Sequence, residues 1–255
     1  MTLFDVQGKF CVVTGGGRGI GEMITTGLFE AGATVLITSR KMDTLQATAD
    51  RLGDACIPVA ADLSTEEGID HLAAAVAEHT DRVHVLVNNA GVAWGEAIDD
   101  FAREGFEKVL DVNVTGVFHT TQKLLPLLRA GATPEDPARV ITIGSVDGFS
   151  VPLWETYSYS ASKAAVHHMS RHMAKRLTPE HITVNVIAPG FFPSDMTAFA
   201  IEDEQHGEAF KSAIPRGRFG DADDITGAVI FLASRAGAYV TGAVLPVDGG
   251  VRTTL

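Results

Sequence analysis

Short apolar runs alternate along the chain with segments in which apolar residues recur at helical spacing. The runs are rich in Val and Ile and end in glycine or polar residues, as buried β-strands do. Strands are predicted at 10–13, 34–38, 56–60, 83–87, 139–143, 182–187 and 243–247. Helices are predicted between them, including a long one at about 101–128 and a final one at about 222–234. This alternation predicts a single-domain α/β fold with a doubly wound sheet of about seven parallel strands flanked by helices.

Glycines separate the first predicted strand from the helix that follows it. Gly15, Gly19 and Gly21 have the spacing G-x-x-x-G-x-G. Glycine lets the backbone approach a pyrophosphate closely, and the N-terminus of the next helix offers free N–H groups and a partial positive charge. A glycine cluster alone also fits a tight turn. Strand, glycines and helix in this order predict the dinucleotide-binding turn of a Rossmann-type domain.

The end of the second strand indicates which dinucleotide is bound. Nucleotide-binding βαβ units usually carry an acidic residue there, which binds the adenosine ribose hydroxyls. This chain has Ser39 and Arg40 instead. A guanidinium can hold a 2′-phosphate with paired, charge-assisted hydrogen bonds, and Arg18 in the glycine turn could approach the same phosphate. These residues favour NADP(H) over NAD(H); the alternative is that Arg40 only begins the next helix.

Small or polar residues follow three further strands. Asp62 could accept a hydrogen bond from an adenine amino group, or it could cap the helix predicted from about residue 65. The small residues at 89–91 would let a ribose or nicotinamide lie against the backbone. Ser145 could donate to a substrate oxygen, because ligands of open α/β sheets bind at the carboxyl ends of the strands. Its alternative role is that of a cap or turn residue.

Tyr159 and Lys163 are four residues apart in a predicted helix and therefore share a face. A nearby cation favours a phenolate and lowers the phenol pKa from its usual value of about 10. Reaching about 7 takes roughly 4 kcal/mol, which Lys163 and an oxidised nicotinamide ring could supply together. The same spacing also arises by chance, as a half-buried ring beside a solvated charge. Asn113, within the long predicted helix, is a poor helix-interior residue, and its alternative role is a polar bond that braces neighbouring strands.

Composition excludes some classes of protein. Charged residues make up 20% of the chain and the formal net charge is −12, which argues against non-specific binding to nucleic acid or to anionic membranes. No apolar stretch approaches the roughly 20 residues that span a bilayer, and the first residues do not resemble a signal peptide. Cys11 and Cys56 lie in apolar runs and are predicted to be reduced core residues of a cytoplasmic protein. No metal site is expected.

Together these motifs resemble the short-chain dehydrogenase/reductase family along the whole chain. The resemblance rests on the segments 14–21, 88–91, 159–163, 189–190 and 246–250, together with Asn113 and Ser145. It implies that Tyr159 is the general acid/base and that Ser145 hydrogen-bonds the carbonyl or alkoxide oxygen. Lys163 would lower the Tyr159 pKa and bind the nicotinamide ribose, and Asn113 would hold a water that relays protons to Lys163.

The resemblance also implies a set of cofactor contacts. They are Gly15, Gly17, Arg18, Gly19, Ile20, Gly21, Ser39, Arg40, Asp62, Leu63, Asn89, Ala90, Gly91, Tyr159, Lys163, Pro189, Gly190, Phe192 and Ser194. Ser194 stands where the family usually has Thr, contacting the carboxamide, and it keeps the hydroxyl. A homotetramer or homodimer is implied as well, with the long helices and the last strand at interfaces.

The sequence indicates the substrate less specifically than it indicates the cofactor. Several apolar residues are candidates for the pocket and favour an apolar carbonyl, although they could equally pack the core or an interface: Trp94, Phe149, Leu153, Trp154, Phe191, Phe192 and Phe199. The segments 126–129, 143–146 and 186–197 are similar to the 3-oxoacyl-(acyl-carrier-protein) reductase-like branch, including the rhamnolipid-pathway reductases. We therefore expect NADP(H)-dependent reduction of a 3-oxoacyl thioester or related apolar ketone. The alternatives are a sugar-acid, polyol or steroid dehydrogenase and a non-catalytic cofactor-binding protein.

Two further expectations concern the substrate side of the site. An acidic carrier protein would need a basic landing patch, which Arg129, Arg171, Lys175 and Arg176 could provide. The segment 191–216 is irregular in pattern and is punctuated by proline and glycine, which predicts a mobile lid.

Overall fold

The computed structural model describes residues 2–152, 154–194 and 204–254. Strands form at the predicted apolar runs, with shifts at their ends: β1 Phe10–Thr14, β2 Thr34–Ser39, β3 Cys56–Ala60, β4 Val85–Asn88, β5 Ala138–Ile143, β6 Ile182–Pro189 and β7 Val244–Val247. The α-helices between and after them are α1 Gly19–Glu30, α2 Met42–Leu52, α3 Glu66–His79, α4 Arg103–Leu110, α5 Val117–Gly131, α6 Tyr157–Leu177, α7 Glu204–Ala213, α8 Ala222–Ala233 and α9 Val251–Thr254.

The seven strands form one sheet in the order β3-β2-β1-β4-β5-β6-β7, and every neighbouring pair is parallel. This confirms the predicted single-domain, doubly wound α/β fold. The chain winds outward from β1 to β3 and then crosses back to β4 on the other side of β1. Ligand crevices of such sheets lie at the carboxyl edge, where the strand order reverses. The topology therefore brings residues from distant parts of the sequence to one edge.

Both faces of the sheet are covered, which is why its strands are apolar throughout rather than alternating. Successive strand residues point to opposite faces: Val13 packs on the side of α1 and α8, and Val12 packs on the side of α3, α5 and α6. Burying one Val, Leu or Ile side chain in this way contributes about 1.5–3 kcal/mol to the free energy of unfolding. Cys11 and Cys56 are buried and unpaired, which confirms their assignment to the core. Burial raises the pKa of these thiols to about 12 and about 11.

Two predicted segments differ from the structure. The helix expected at about 101–128 is interrupted, because Asp111–Gly116 forms a π-helical turn between α4 and α5. The segment 191–216 is not wholly irregular, since α7 lies within it; residues 195–203 are outside the described part. None of the helices described is long and apolar enough to cross a membrane.

Candidate active site

A cleft of about 310 Å³ lies at the carboxyl edge of the sheet. Its walls come from the segments that follow β1 to β5, from the last residue of β6 and the segment after it, and from α6. All residues predicted to contact the cofactor line it, as does Ser145. Asn113 does not line it. The cleft also has lining residues that the sequence analysis did not single out: Lys41, Thr44, Ala61, Val92, Val112, Ile143 and Gly144. Lys41 could have been predicted as a lining residue, because it directly follows Arg40 in the sequence.

The glycine turn forms the floor of the cleft after β1. Gly15 and Gly19 adopt left-handed backbone with φ of 67° and 53°, which side chains disfavour. A Cβ on Gly21 would lie 2.0 Å from the carbonyl oxygen of Gly15, so only glycine fits there. The Asn89 amide donates to the carbonyl oxygens of Thr14 and Gly15 at 2.9 and 3.2 Å and ties the turn to the segment after β4. The result is a bare backbone cradle at the N-terminus of α1, suited to a pyrophosphate.

The other end of the cleft is formed by the segments after β2 and β3. Ser39 and Arg40 line it, and Arg40 is exposed. The Asp62 carboxylate accepts from the backbone N–H and the hydroxyl of Ser64, at 3.0 and 2.7 Å. Burial raises the pKa of Asp62, but these bonds outweigh it and, with the charge of Arg40, lower the pKa overall. Of the two roles that the sequence left open for Asp62, the cap of α3 is taken by Thr65, whose hydroxyl accepts from the backbone N–H of Gly68.

Asn113 lies on the π-helical turn and is buried. Its Oδ1 accepts from the backbone N–H of Val92 at 2.9 Å, and its Nδ2 donates to the carbonyl oxygen of Val92 at 3.0 Å. Nδ2 also donates to the hydroxyl of Ser162 at 2.9 Å. Asn113 therefore braces the cleft wall after β4 against α6, rather than bracing two strands. π-turns inside helices often occur at functional sites, and this one carries Asn113.

Tyr159 and Lys163 lie on the first turns of α6, with the Lys163 ammonium 5.4 Å from the centroid of the tyrosine ring. Lys163 is buried and donates to the carbonyl oxygen of Ile143 at 2.9 Å. Burial lowers the pKa of Lys163 to about 8, opposed by the charge of Asp147. Burial and Asp147 raise the pKa of Tyr159 to about 12, opposed by a hydrogen bond with Ser145. The pKa of Tyr159 is therefore raised, because burial and Asp147 outweigh the lowering by Ser145. The lowering by Lys163 together with an oxidised nicotinamide ring stays a prediction.

Ser145 is a cap residue, one of the two roles that the sequence left open, and it also lines the cleft. Its Oγ accepts from the backbone N–H of Asp147 at 3.1 Å, so Ser145 caps the short 3₁₀ turn Val146–Gly148. The same side chain faces the cleft and lowers the pKa of the Tyr159 phenol. Behind it, the backbone N–H of Ser145 points to Nε2 of the buried His167 at 3.5 Å. The cap and the turn hold the hydroxyl beside Tyr159.

Some of the aromatic residues predicted to form the substrate pocket line the cleft, and others pack elsewhere. Trp94 does not line the cleft; it packs on Gly105 of α4, where a Cβ would lie 2.6 Å from the indole ring. Phe149 packs on His167, with ring centroids 4.6 Å apart. Phe192 is buried and lines the cleft. Leu153 and Phe199 fall outside the described residues.

Trp154 and Phe191 are brought together with a third ring, Phe210 of α7. The ring centroids are 5.6 Å apart for Trp154 and Phe210, 5.7 Å for Phe191 and Phe210, and 6.2 Å for Trp154 and Phe191. Phe210 was not predicted to be a pocket residue, because its segment was expected to be irregular. The uninterrupted stretch 208–214, which lacks proline and glycine, was the available signal.

The parallel sheet, the glycine cradle and the Ser–Tyr–Lys group in one cleft define the dinucleotide-dependent class of α/β oxidoreductases. Comparison with known proteins agrees. The model of the family described as Enoyl-(Acyl carrier protein) reductase matches residues 15–252. The chain belongs to the short-chain dehydrogenase/reductase family, in the branch that this model represents.

Individual relatives cover nearly the whole chain. The rhamnolipids biosynthesis 3-oxoacyl-[acyl-carrier-protein] reductase of Pseudomonas aeruginosa is 51% identical over 97% of each chain. The 2-dehydro-3-deoxy-D-gluconate 5-dehydrogenase of Bacillus subtilis is 36% identical over 97% of this chain and 96% of its own. Among solved structures, the Pseudomonas aeruginosa RhlG/NADP active-site complex has a TM-score of 0.96, with 50% identity over 99% of each chain.

Proposed function

We propose that this protein is an NADP(H)-dependent oxidoreductase that reduces a 3-oxoacyl thioester, or a related apolar ketone, to the corresponding alcohol. The observation that carries the proposal is the pairing of Ser145 with Tyr159 in the same cleft as the glycine cradle. Two hydrogen-bond donors are thereby available next to a dinucleotide site. The names of the Pseudomonas aeruginosa relative and of the NADP complex support the substrate class and the cofactor.

The cleft fits NADP(H) on its own geometry. The cradle after β1 offers free backbone where a Cβ at Gly21 would clash. Near Lys163, a Cβ on Gly91 would lie 3.7 Å from the ammonium and 3.3 Å from Asn113 Oδ1, so glycine keeps the space beside these groups open. At the far end, Arg40 and Lys41 stand where NAD-specific proteins place a carboxylate. These cations would hold the 2′-phosphate.

The side chains of the site supply proton transfer and charge stabilisation. When bound, NADPH supplies the hydride for the carbonyl carbon. Ser145 Oγ and Tyr159 Oη donate hydrogen bonds to the carbonyl oxygen, where negative charge develops. Tyr159 keeps its proton at neutral pH, because its pKa is raised to about 12, and it transfers that proton from Oη to the oxygen. The Lys163 ammonium favours the phenolate that remains.

An apolar substrate is supported by the cluster of Trp154, Phe191 and Phe210, three half-buried rings beside the segment that leaves β6. A carrier protein as the donor of the acyl group has weaker support. Glu180 pairs with two of the four basic residues expected in a landing patch, Arg129 and Arg176. A second candidate, oxidation of a sugar acid, is favoured by the 36% identical Bacillus subtilis relative.

Assembly, location and the lid are further parts of the proposal. Phe106 of α4 and Phe118 of α5 are 36% and 39% exposed, which supports a homotetramer or homodimer that covers them. Two buried, unpaired cysteines fit a reducing, cytoplasmic compartment. The lid function of 191–216 stays a prediction. A monomer in light scattering would contradict the proposed assembly.

The test of the function follows the absorbance of the reduced nicotinamide. We expect NADPH to be oxidised faster than NADH, with an acetoacetyl thioester as substrate and little turnover of a sugar-acid ketone. Tyr159→Phe should lower turnover about 10²–10⁴-fold, the usual contribution of a general acid, while leaving NADPH binding nearly unchanged. Tyr157→Phe, at an exposed ring hydrogen-bonded to Glu155, is the matched control.

Two results would contradict parts of this assignment. Full turnover in Tyr159→Phe would exclude the proton-transfer role. Preference for NADH and a sugar-acid ketone would place the protein in the sugar-acid dehydrogenase branch, with the fold and the tyrosine chemistry retained.

A further inference from the structure

We propose that His167 is a positioning residue for the reaction: its imidazole fixes the turn that carries Ser145 and so sets where the Ser145 hydroxyl meets the carbonyl oxygen. His167 acts through Ser145 and does not contact the reacting atoms. The inference rests on the proposed function, because it concerns the hydrogen bond that Ser145 donates during carbonyl reduction.

The segment that follows β5 packs around the buried imidazole of His167. A Cβ on Gly144 would lie 2.3 Å from Nε2, and a Cβ on Gly148 would lie 2.5 Å from Cε1. The Phe149 ring also packs on the imidazole, with ring centroids 4.6 Å apart. Ser145 lies between the two glycines. A side chain at either glycine would collide with the ring, so the turn and the ring fit each other closely.

Nε2 of His167 also faces a hydrogen-bond donor of this turn. Beyond the pairing of β5 with β6, the N–H of Gly144 still donates to the carbonyl oxygen of Ile187, at 2.7 Å. The next N–H, that of Ser145, points to Nε2 of His167 at 3.5 Å, which is its one acceptor among the described residues. This distance is long for a hydrogen bond. The polar contact therefore acts together with the packing of the ring to hold Ser145.

Packing alone does not explain a histidine at this position. Nε2 can accept from Ser145 only if the proton of the neutral ring is on Nδ1. Burial, together with the charges of Lys163, Arg171 and Arg252, lowers the pKa of His167 to about 4, so the ring is neutral at neutral pH. Nδ1 is buried and has no hydrogen-bond partner within the described part of the chain, which costs stability. An apolar side chain would avoid that cost but would leave the Ser145 N–H without its acceptor.

His167 joins the turn to the face of α6 that carries the other two site residues. Tyr159, Lys163 and His167 are spaced four residues apart and therefore lie along one face of the helix. The Lys163 ammonium donates to the carbonyl oxygen of Ile143 at 2.9 Å, two residues before Ser145. The helix thus contacts the segment at Ile143 and again at Ser145. These two attachments fix Ser145 relative to Tyr159.

The test is a double-mutant cycle between His167 and Ser145, with kcat and KM measured for ketone reduction. His167→Leu removes the acceptor and the flat ring, and we expect kcat to fall about 10–100-fold, as a misplacement of about 1 Å can cause. KM and the Kd for NADPH should change little, because the weakened interaction is made mainly to the transition state. In a Ser145→Ala background the same change should have almost no further effect, since the group that His167 positions is already absent.

Two further variants separate positioning from a purely structural role. His167→Gln keeps an acceptor at the end of its side chain and should retain most of the wild-type kcat. His168→Leu, at the exposed neighbouring histidine of α6, is the matched control and should leave turnover unchanged. Wild-type kcat in a folded His167→Leu protein, additive losses in the double mutant, or equal losses in His167→Leu and His167→Gln would each overturn the inference. If His167→Leu does not fold, His167→Met carries the same expectation and the same refutation.

A readout that needs no turnover distinguishes this inference from the proposed function. Hydrogen–deuterium exchange of the peptide that covers residues 144–149 should be faster in His167→Leu than in the wild type, and should return towards the wild type in His167→Gln. Unchanged exchange in His167→Leu would overturn the inference even if the thioester is reduced. Faster exchange in a protein that reduces no thioester or apolar ketone would support the action of His167 on the turn and overturn the proposed function instead.

Discussion

Replacing Asn113 by alanine should loosen the cleft wall and weaken cofactor binding together. The change removes three hydrogen bonds, to the N–H and carbonyl oxygen of Val92 and to the Ser162 hydroxyl. Two backbone groups of Val92 then lose their partners, at about 1–1.5 kcal/mol each because Val92 is only half-buried. The expected loss is about 3 kcal/mol in the free energy of unfolding. For a chain of this size, that lowers Tm by roughly 6–12 °C.

The assay combines thermal unfolding, followed by circular dichroism, with NADPH binding, followed by nicotinamide fluorescence. Ser162→Ala is the matched control, since it removes one of the three bonds and leaves Val92 paired with Asn113. We expect it to cost about 1 kcal/mol and to leave NADPH affinity nearly unchanged. Wild-type Tm and affinity in Asn113→Ala would refute the bracing role. Equal losses in both variants would show that the contact with α6, not the support of Val92, is what matters.

Two further predictions concern the cofactor and the opposite edge of the sheet. Arg40→Ala should raise the Kd for NADPH about tenfold, which is the smallest effect usual for loss of a charge-assisted hydrogen bond, because Arg40 is exposed. The Kd for NADH should stay unchanged. Equal effects on both dinucleotides would refute the role of Arg40 in binding the 2′-phosphate. Burial raises the pKa of Asp136, but the hydrogen bond from Lys9 and the charge of buried Arg139 outweigh it and lower the pKa below its usual 3.8. Asp136 therefore stabilises the fold above that value, and the contribution is lost as pH falls through the lowered pKa. Near neutral pH, Asp136→Asn should lower the free energy of unfolding by about 2 kcal/mol, a value reduced for solvent screening because the Asp136 side chain is 37% exposed. Urea unfolding should show that this difference from the wild type shrinks in acid. A difference that persists in acid would refute the charge argument.

The residues expected to contact the cofactor all line one cleft, because each is encoded locally. Gly15 and Gly21 sit in a strand–turn–helix pattern, and Ser39 and Arg40 end the next strand. A parallel sheet sends the carboxyl ends of its strands to one edge. Once the strands were placed, their terminal residues had to meet there, and the structure places them all along one cleft.

Predictions failed where the outcome depended on neighbours distant in the chain. Trp94 has the composition of a pocket residue but packs on Gly105, while Phe210 joins Trp154 from a segment expected to be irregular. The cap of α3, one of the two roles open to Asp62, is provided by Thr65, three residues later. Aromatic character and helix-cap chemistry are shared by many positions, and packing selects among them.

Sequence pattern alone was enough to predict the parallel, doubly wound sheet, the glycine turn, and the presence of Ser145, Tyr159 and Lys163 at one cleft, because hydrophobic periodicity and motif spacing act over short distances. The protonation states of these side chains could not be predicted without the folded protein. The pKa of Tyr159 is raised because burial and the Asp147 charge outweigh the lowering by Ser145, and only folding brings these groups together. The same holds for Asn113, whose hydrogen bonds join it to Val92 and Ser162, residues distant in the sequence.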